Sequence, residues 1–174
     1  MKNKFSVLIA TWFYTGLIPP FILKGMAGTY GSLFSIPLVW TTLWLSDNVS
    51  PWLYIIVTLI IYFVGLWSVP LAEVALGPRK DWGGKVKTRD QNQIVIDETL
   101  GLLITCFLLR SGHESLWLLL LLGFGFFRLF DIIKIPPAKY FDRMKTANGV
   151  MLDDVIAGIY AFVCLRLTII IFHI

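Results

Sequence analysis

The chain has 174 residues, of which 57% are hydrophobic and only 15% charged, with a formal net charge of +4 and a mean hydropathy of +0.76. That balance excludes an ordinary soluble domain and points to a membrane protein, and the length suits a single domain over residues 1–174. The bases lie beside apolar segments, so anionic lipid headgroups account for the positive excess without nucleic acid, and Cys106 and Cys164, both inside apolar runs, exclude a disulfide framework.

The first apolar segment, Phe5–Leu23, contains Gly16 and Pro19-Pro20, which interrupt a helix. It is predicted to be a re-entrant or interfacial segment that returns to the face it left, with an outward-facing N-terminus as the alternative. Lys24 and the proline pair argue against a cleaved secretory leader. Gly28-Thr29-Tyr30-Gly31-Ser32 follows. Glycines flanking a polar pair just before a helix can aim backbone N–H groups at an anion, although a plain turn with an N-cap has the same pattern.

Five apolar runs then read as helical spans: Gly31–Ser46, Pro51–Leu71, Asp97–Arg110, Leu116–Phe130 and Met151–Phe172. The second and fifth reach the ~20 residues that cross a bilayer core. The third and fourth, at roughly 14–15 residues, need help from neighbours or a thinned bilayer. None alternates as a barrel strand would. The expected fold is therefore all-α, a polytopic helical membrane protein with about five spans plus the N-terminal segment.

Charges give the orientation. Arg79, Lys80, Lys85, Lys87 and Arg89 follow the second span, and Lys134, Lys139, Arg143 and Lys145 follow the fourth. The positive-inside rule puts both loops in the cytoplasm. Asp90, Asp97, Glu98, Asp131, Asp142, Asp153 and Asp154 then share the cytoplasmic side, whereas His113 and His173 lie on the other.

Acids at the mouths of apolar runs are costly and mark a functional site more readily than packing does. Asp97, Glu98, Asp131, Asp153 and Asp154 offer carboxylate oxygens from three helix ends, a donor set suited to Mg2+. Helix capping would explain Asp97 and Asp153 but not Asp131, which follows Phe126-Phe127 and Leu129-Phe130. Asp97 precedes Gly101 by four residues and Asp154 precedes Gly158 by four. Each acid then lies on the same helix face as a glycine that admits a close neighbour, and each is expected to open its helix at the positive dipole end. Arg128, Asp131 and Lys134 are spaced three apart along one face. Arginine grips phosphate bidentately and lysine acts as a point charge, so Arg128 and Lys134 are candidate phosphate binders, with Arg143 beside Asp142 a weaker one. Lys139, Lys145 and most of Arg79–Arg89 suit a membrane-surface anchor, and Arg166 a packing role. Histidine nucleophiles, a Cys-x5-Arg loop and an Asp-x-Asp-x-Thr/Val motif are absent.

Taken in order, these motifs resemble the phosphatidylglycerophosphatase A family. The resemblance rests on Gly28-Thr29-Tyr30-Gly31-Ser32-Leu33, Asp90 with Ile94-Val95-Ile96-Asp97-Glu98-Thr99-Leu100-Gly101, and Phe127-Arg128-Leu129-Phe130-Asp131-Ile132-Ile133-Lys134. It continues through Asp142-Arg143, Gly149 and Met151-Leu152-Asp153-Asp154-Val155-Ile156-Ala157-Gly158. Ala27 and Ile135 stand where the family has prolines, and Thr146-Ala147-Asn148 where it tends to have glycines. The resemblance implies Mg2+-dependent hydrolysis of phosphatidylglycerophosphate to phosphatidylglycerol at the cytoplasmic face of the bacterial inner membrane. The expected catalytic residues are Asp97, Glu98, Asp131 and Asp154, and the expected metal ligands are Asp97, Glu98, Asp131 and one or both of Asp153 and Asp154. Thr29, Ser32, Arg128, Lys134 and Arg143 are the expected substrate contacts. Water and a carboxylate both remain open as the nucleophile. The alternatives are a phosphatase for another lipid phosphate, such as a polyprenyl phosphate, and a non-enzymatic lipid or ion transporter.

Overall fold

The computed structural model describes residues 2–17, 27–80, 86–89 and 91–173; Pro19-Pro20 and Asp90 lie outside them. Along the chain come α1 (Lys2–Ala10), a 3-10 turn (Thr15–Leu17), α2 (Ala27–Asn48), α3 (Trp52–Leu76), β1 (Arg79–Lys80), β2 (Val86–Lys87), α4 (Ile96–Thr105), α5 (Leu116–Ile133), α6 (Ala138–Asp142) and α7 (Ala147–Phe172). Apart from the antiparallel β1–β2 pair, the regular structure is helical, as the composition predicts.

Among the described residues, three helices are long and apolar enough to cross a membrane: α3, α5 and α7. Only 28%, 28% and 22% of their most apolar stretches are buried. Their remaining apolar surface faces outward, which suits lipid rather than water. Length and composition thus support three of the five expected spans. The clearest departure is α4, a helix of 10 residues where Asp97–Arg110 was expected to be a span. At 1.5 Å per residue it is about 15 Å long, half of a bilayer core. The apolar run continues to Leu109, but the backbone leaves the helix at Cys106 and passes through a left-handed Leu108 (φ 66°).

Beyond its acidic first turn α4 is mostly apolar, and neighbouring helices enclose it. It packs against α2, α3, α5 and α7, with Ile96, Leu100, Leu102 and Leu103 buried. Polar ties fix its register. Tyr54 Oη of α3 donates to Leu103 O at 2.8 Å, and the Ser35 and Thr99 hydroxyls of α2 and α4 meet at 2.6 Å. The α4–α7 crossing is closest at Gly101 and Gly158, the glycines marked by their spacing from acids. A Cβ on Gly158 would lie 2.6 Å from Gly101 O, and one on Gly101 would lie 3.0 Å from Asp154 O. Thr105 Oγ1 donates to Gly101 O at 2.8 Å and reaches Gly158 O at 3.4 Å.

Among the described residues, the N-terminal segment forms no membrane-crossing helix, since α1 has 9 residues. It packs on α3 and turns back through Trp12, Phe13 and Tyr14, all with positive φ, several residues before the expected break at Gly16. Val95 N donates to Ala10 O at 2.9 Å, so the end of α1 sits beside the N-terminus of α4. At the other end of the bundle, Asp47 in the last turn of α2 accepts from Ser111 N at 2.6 Å and from Ser111 Oγ at 2.8 Å. Arg166 Nη1 donates to Leu108 O at 3.3 Å, a structural role as expected.

The helix crossing yields a direct test. Gly158→Val forces α4 and α7 apart and is expected to destabilise the protein by about 2–3 kcal/mol or prevent folding, the range for overpacking a tight contact. Gly112→Ala, where a Cβ meets nothing within 4 Å, is expected to shift stability by less than ~0.5 kcal/mol. Thermal unfolding of both variants in detergent reads the difference.

Candidate active site

Six parts of the chain converge on a cavity of about 280 Å³ at the end of the bundle where α4 begins. Asp97 and Glu98 come from the first turn of α4. Arg128 and Asp131 come from the last turns of α5, and Lys134 is its C-cap. Asp153 and Asp154 project from α7, Asp142 ends α6, and Lys87 at the end of β2 joins Gln91 and Asn92 of the connection that follows it. Ala27 and Gly28, at the start of α2, complete the lining.

The acids are not caps. The N-cap of α4 is Val95, with no side-chain hydrogen bond. The N-cap of α7 is Thr146, whose hydroxyl accepts from Gly149 N at 3.1 Å. Because Thr146 starts α7 earlier than expected, Asp153 and Asp154 lie about two turns inside it, beyond the reach of the first-turn dipole. Their burial has another cause: the glycine contact one turn further along presses α7 onto α4.

Three carboxylates form the tightest group. One oxygen from each of Asp97, Glu98 and Asp154 lies within 4.8 Å of the others. Like charges this close and this buried need a cation or protons to balance them. Glu98 Oε2 is buried without a hydrogen-bond partner among the described residues, as an oxygen waiting for a ligand would be. An all-oxygen donor set of this size suits a hard divalent ion.

The remaining acids are engaged by bases. Arg128 Nη1 lies 2.7 Å from Asp131 Oδ2 and 3.8 Å from Glu98 Oε1. Lys134 Nζ donates to Asp142 Oδ1 at 2.7 Å and to Asp153 Oδ2 at 2.6 Å. The two neighbours that sequence could not rank are thereby separated. Asp154 joins the carboxylate group, while Asp153 holds Lys134. Lys134 itself is left-handed (φ 50°), with its N–H on Phe130 O at 2.9 Å. Such a backbone costs a side-chain-bearing residue about 1 kcal/mol or more, and the paired carboxylates hold it there. Burial alone would lower the Lys134 ammonium, but the Asp153 charge and the hydrogen bonds to Asp142 and Asp153 outweigh it and raise it above its ordinary value. Burial would likewise raise the Asp142 carboxyl, yet Lys134, with Lys145 and Lys87 further off, holds it below the usual range.

Gly28-Thr29-Tyr30-Gly31-Ser32 is not the expected turn, because all five residues lie in the opening turns of α2. Ser32 is fully buried, and its Oγ donates to Gly28 O of the same helix at 2.8 Å. Neither Ser32 nor Thr29 lines the cavity. Gly28 does, and there a Cβ would overlap Glu98 Oε1. Arg143, the C-cap of α6, is exposed and outside the lining. Asp142, Lys87, Gln91 and Asn92 join the site without having been singled out as site residues. For Asp142 its place beside Arg143 was a usable signal. Lys87 was hidden in a run of bases.

The phosphatidylglycerophosphatase A family profile matches residues 8–169. A Haemophilus influenzae protein named phosphatidylglycerophosphatase A is 31% identical over 158 residues, covering 90% of this chain and 83% of its own. An Escherichia coli protein of the same name is 32% identical over 154 residues, covering 87% and 76%. A Bacteroides thetaiotaomicron protein with the provisional name phosphatidylinositol-3-phosphatase is 29% identical over 159 residues, covering 90% and 89%. No solved structure matches the chain. With carboxylates and bases gathered at one end of a helical bundle, and a family profile spanning nearly its whole length, the chain belongs to the phosphatidylglycerophosphatase A family.

Proposed function

We propose that the chain hydrolyses the terminal phosphate monoester of phosphatidylglycerophosphate in a Mg2+-dependent reaction, at the cytoplasmic face of the bacterial inner membrane. The observation that carries this reading is the juxtaposition of the Asp97–Glu98–Asp154 group with Arg128 and Lys134 in one cavity. The three carboxylates would hold Mg2+, which when bound supplies Lewis-acid polarisation of a phosphate oxygen.

The chain's own groups do the rest. Asp131 and Glu98 flank the Arg128 guanidinium and aim it, so its donors meet the phosphoryl oxygens with little reorganisation. Asp142 and Asp153 hold the Lys134 ammonium in the same way. Asp131, beside Arg128 on the cavity wall, is placed to orient a water and accept its proton. The water oxygen then bonds phosphorus, the bond from phosphorus to the glycerol oxygen breaks, and the proton passes to that oxygen.

We further read the chain as crossing the bilayer five times. Ser111 bonds to Asp47 at the end of α2, so the chain from Ile96 to Ser111 reaches the far side although its helix stops at Thr105. The third crossing is then helical for only part of its length.

Purified protein in detergent is expected to release phosphate from phosphatidylglycerophosphate with Mg2+ and to stop when the ion is chelated. Asp97→Asn and Asp154→Asn should each lower kcat by about 100-fold or more, the scale on which a transition-state charge stabiliser is lost. A panel including phosphatidylinositol 3-phosphate and a polyprenyl phosphate places the lipid preference. Failure to release phosphate from phosphatidylglycerophosphate sinks the reading.

A second comparison separates the bases. Lys134→Ala is expected to lower kcat/KM by about 100-fold, whereas Arg143→Ala, outside the cavity, should cost less than about tenfold. Equal losses would show that Arg143 reaches the substrate after all.

A further inference from the structure

The cavity has a second wall that the hydrolytic chemistry does not use. Lys87 of β2 lines it and donates from Nζ to Asn92 Oδ1 at 3.2 Å. Gln91, between them, also lines it and is only 2% exposed. Its amide orientation follows from its neighbours. Nε2 donates to Gly77 O at 2.7 Å and lies 3.4 Å from both Glu73 O and Thr88 O. Three carbonyls around one atom require that atom to be the NH2 group. The other atom, Oε1, is therefore an acceptor, buried and without a hydrogen-bond partner among the described residues. A native interior rarely leaves such an oxygen unused.

Phosphatidylglycerophosphate presents two phosphates, a terminal monoester and an internal diester, joined by a glycerol with one free hydroxyl. Arg128, Lys134 and the carboxylate group account for the monoester. The diester and hydroxyl remain, and the second wall offers their chemical complements: a lysine point charge and a buried acceptor. We propose that this wall reads the headgroup, with Lys87 contacting the phosphodiester and Gln91 Oε1 accepting from the glycerol hydroxyl. The assignment rests on the phosphatase reading above and adds a selectivity determinant to it. Lipid phosphates lacking a diester, such as polyprenyl phosphates, would make no such contact with Lys87.

The product, phosphatidylglycerol, keeps the diester and hydroxyl but has lost the monoester, so binding alone can test the wall. Monomeric dihexanoylphosphatidylglycerol and inorganic phosphate would each be titrated calorimetrically into wild-type protein and Lys87→Ala. The dissociation constant for the lipid is expected to rise about tenfold in the variant, the scale of one charge-assisted contact, with inorganic phosphate changed less than about twofold. Lys87→Arg should recover most of the lipid affinity. An analogue with propane-1,3-diol in place of glycerol should bind wild type about fivefold more weakly, reporting on Gln91 without altering its structural hydrogen bonds. Unchanged lipid affinity in Lys87→Ala, a parallel loss of phosphate affinity, no lipid binding by wild type, or equal binding of the analogue would overturn the proposal. None of these readouts needs turnover. Lysine-dependent lipid binding without phosphate release would instead overturn the proposed reaction and leave the wall standing.

Discussion

Backbone contact between α4 and α7 at Gly101 and Gly158 is the constraint on which the rest of the site depends. Without a side chain at either position, the helices approach until a Cβ on one would touch the carbonyl oxygen of the other. Close approach of this kind is how helices associate where lipid supplies no hydrophobic drive between them. Its effect one turn away is electrostatic. Asp97 and Asp154, each four residues before its glycine, are carried into the same small volume with Glu98. Side chains of ordinary size at the crossing would separate the carboxylates and dissolve the group.

Charge then sets what can enter. The lining holds six carboxylates, from Asp97, Glu98, Asp131, Asp142, Asp153 and Asp154, against three basic side chains, from Lys87, Arg128 and Lys134. A cavity with that formal excess repels a phosphate unless cations or protons come with it. The two ion-paired bases are held in place by the same acids that oppose the substrate. In the proposed reaction their donors would therefore be preorganised, with little rearrangement as negative charge builds on the phosphoryl group.

Much of this was legible in the sequence because ionisable residues in an apolar chain have few innocent explanations. Asp131 and Arg128 stood out against Phe126, Phe127 and Phe130, and the two acid-to-glycine spacings foretold the helix crossing. Helix limits were harder. The apolar run through Leu109 gives no hint that Leu108 turns left-handed, because that break is imposed by packing. Thr146 starts α7 early by capping Gly149, a local hydrogen bond masked by the strong apolar pattern from Met151 onward. Asp153 and Asp154 differ by about 100° around one helix, so only the packed neighbours decide which meets α4 and which meets Lys134. Lys87 lay in a basic loop where every residue had an adequate reason to be at a membrane surface. Ser32 failed in the opposite direction, its pattern suggesting a ligand loop while its hydroxyl is spent on its own helix.

The enclosure of α4 has a consequence for how the site meets different membranes. Helices with a lipid-facing length must match the hydrocarbon thickness around them, and they tilt or strain when it changes. That burden falls on α3, α5 and α7, whose apolar stretches lie mostly outside the core. The helix carrying Asp97 and Glu98 is instead surrounded by protein, with almost no surface whose length needs matching. Hydrophobic mismatch therefore bears on the site through Asp154 of α7 and the Arg128 and Lys134 side chains of α5, while Asp97 and Glu98 stay fixed. The lipid composition that a phospholipid-modifying enzyme alters then acts on the spacing between its own enclosed and lipid-facing halves.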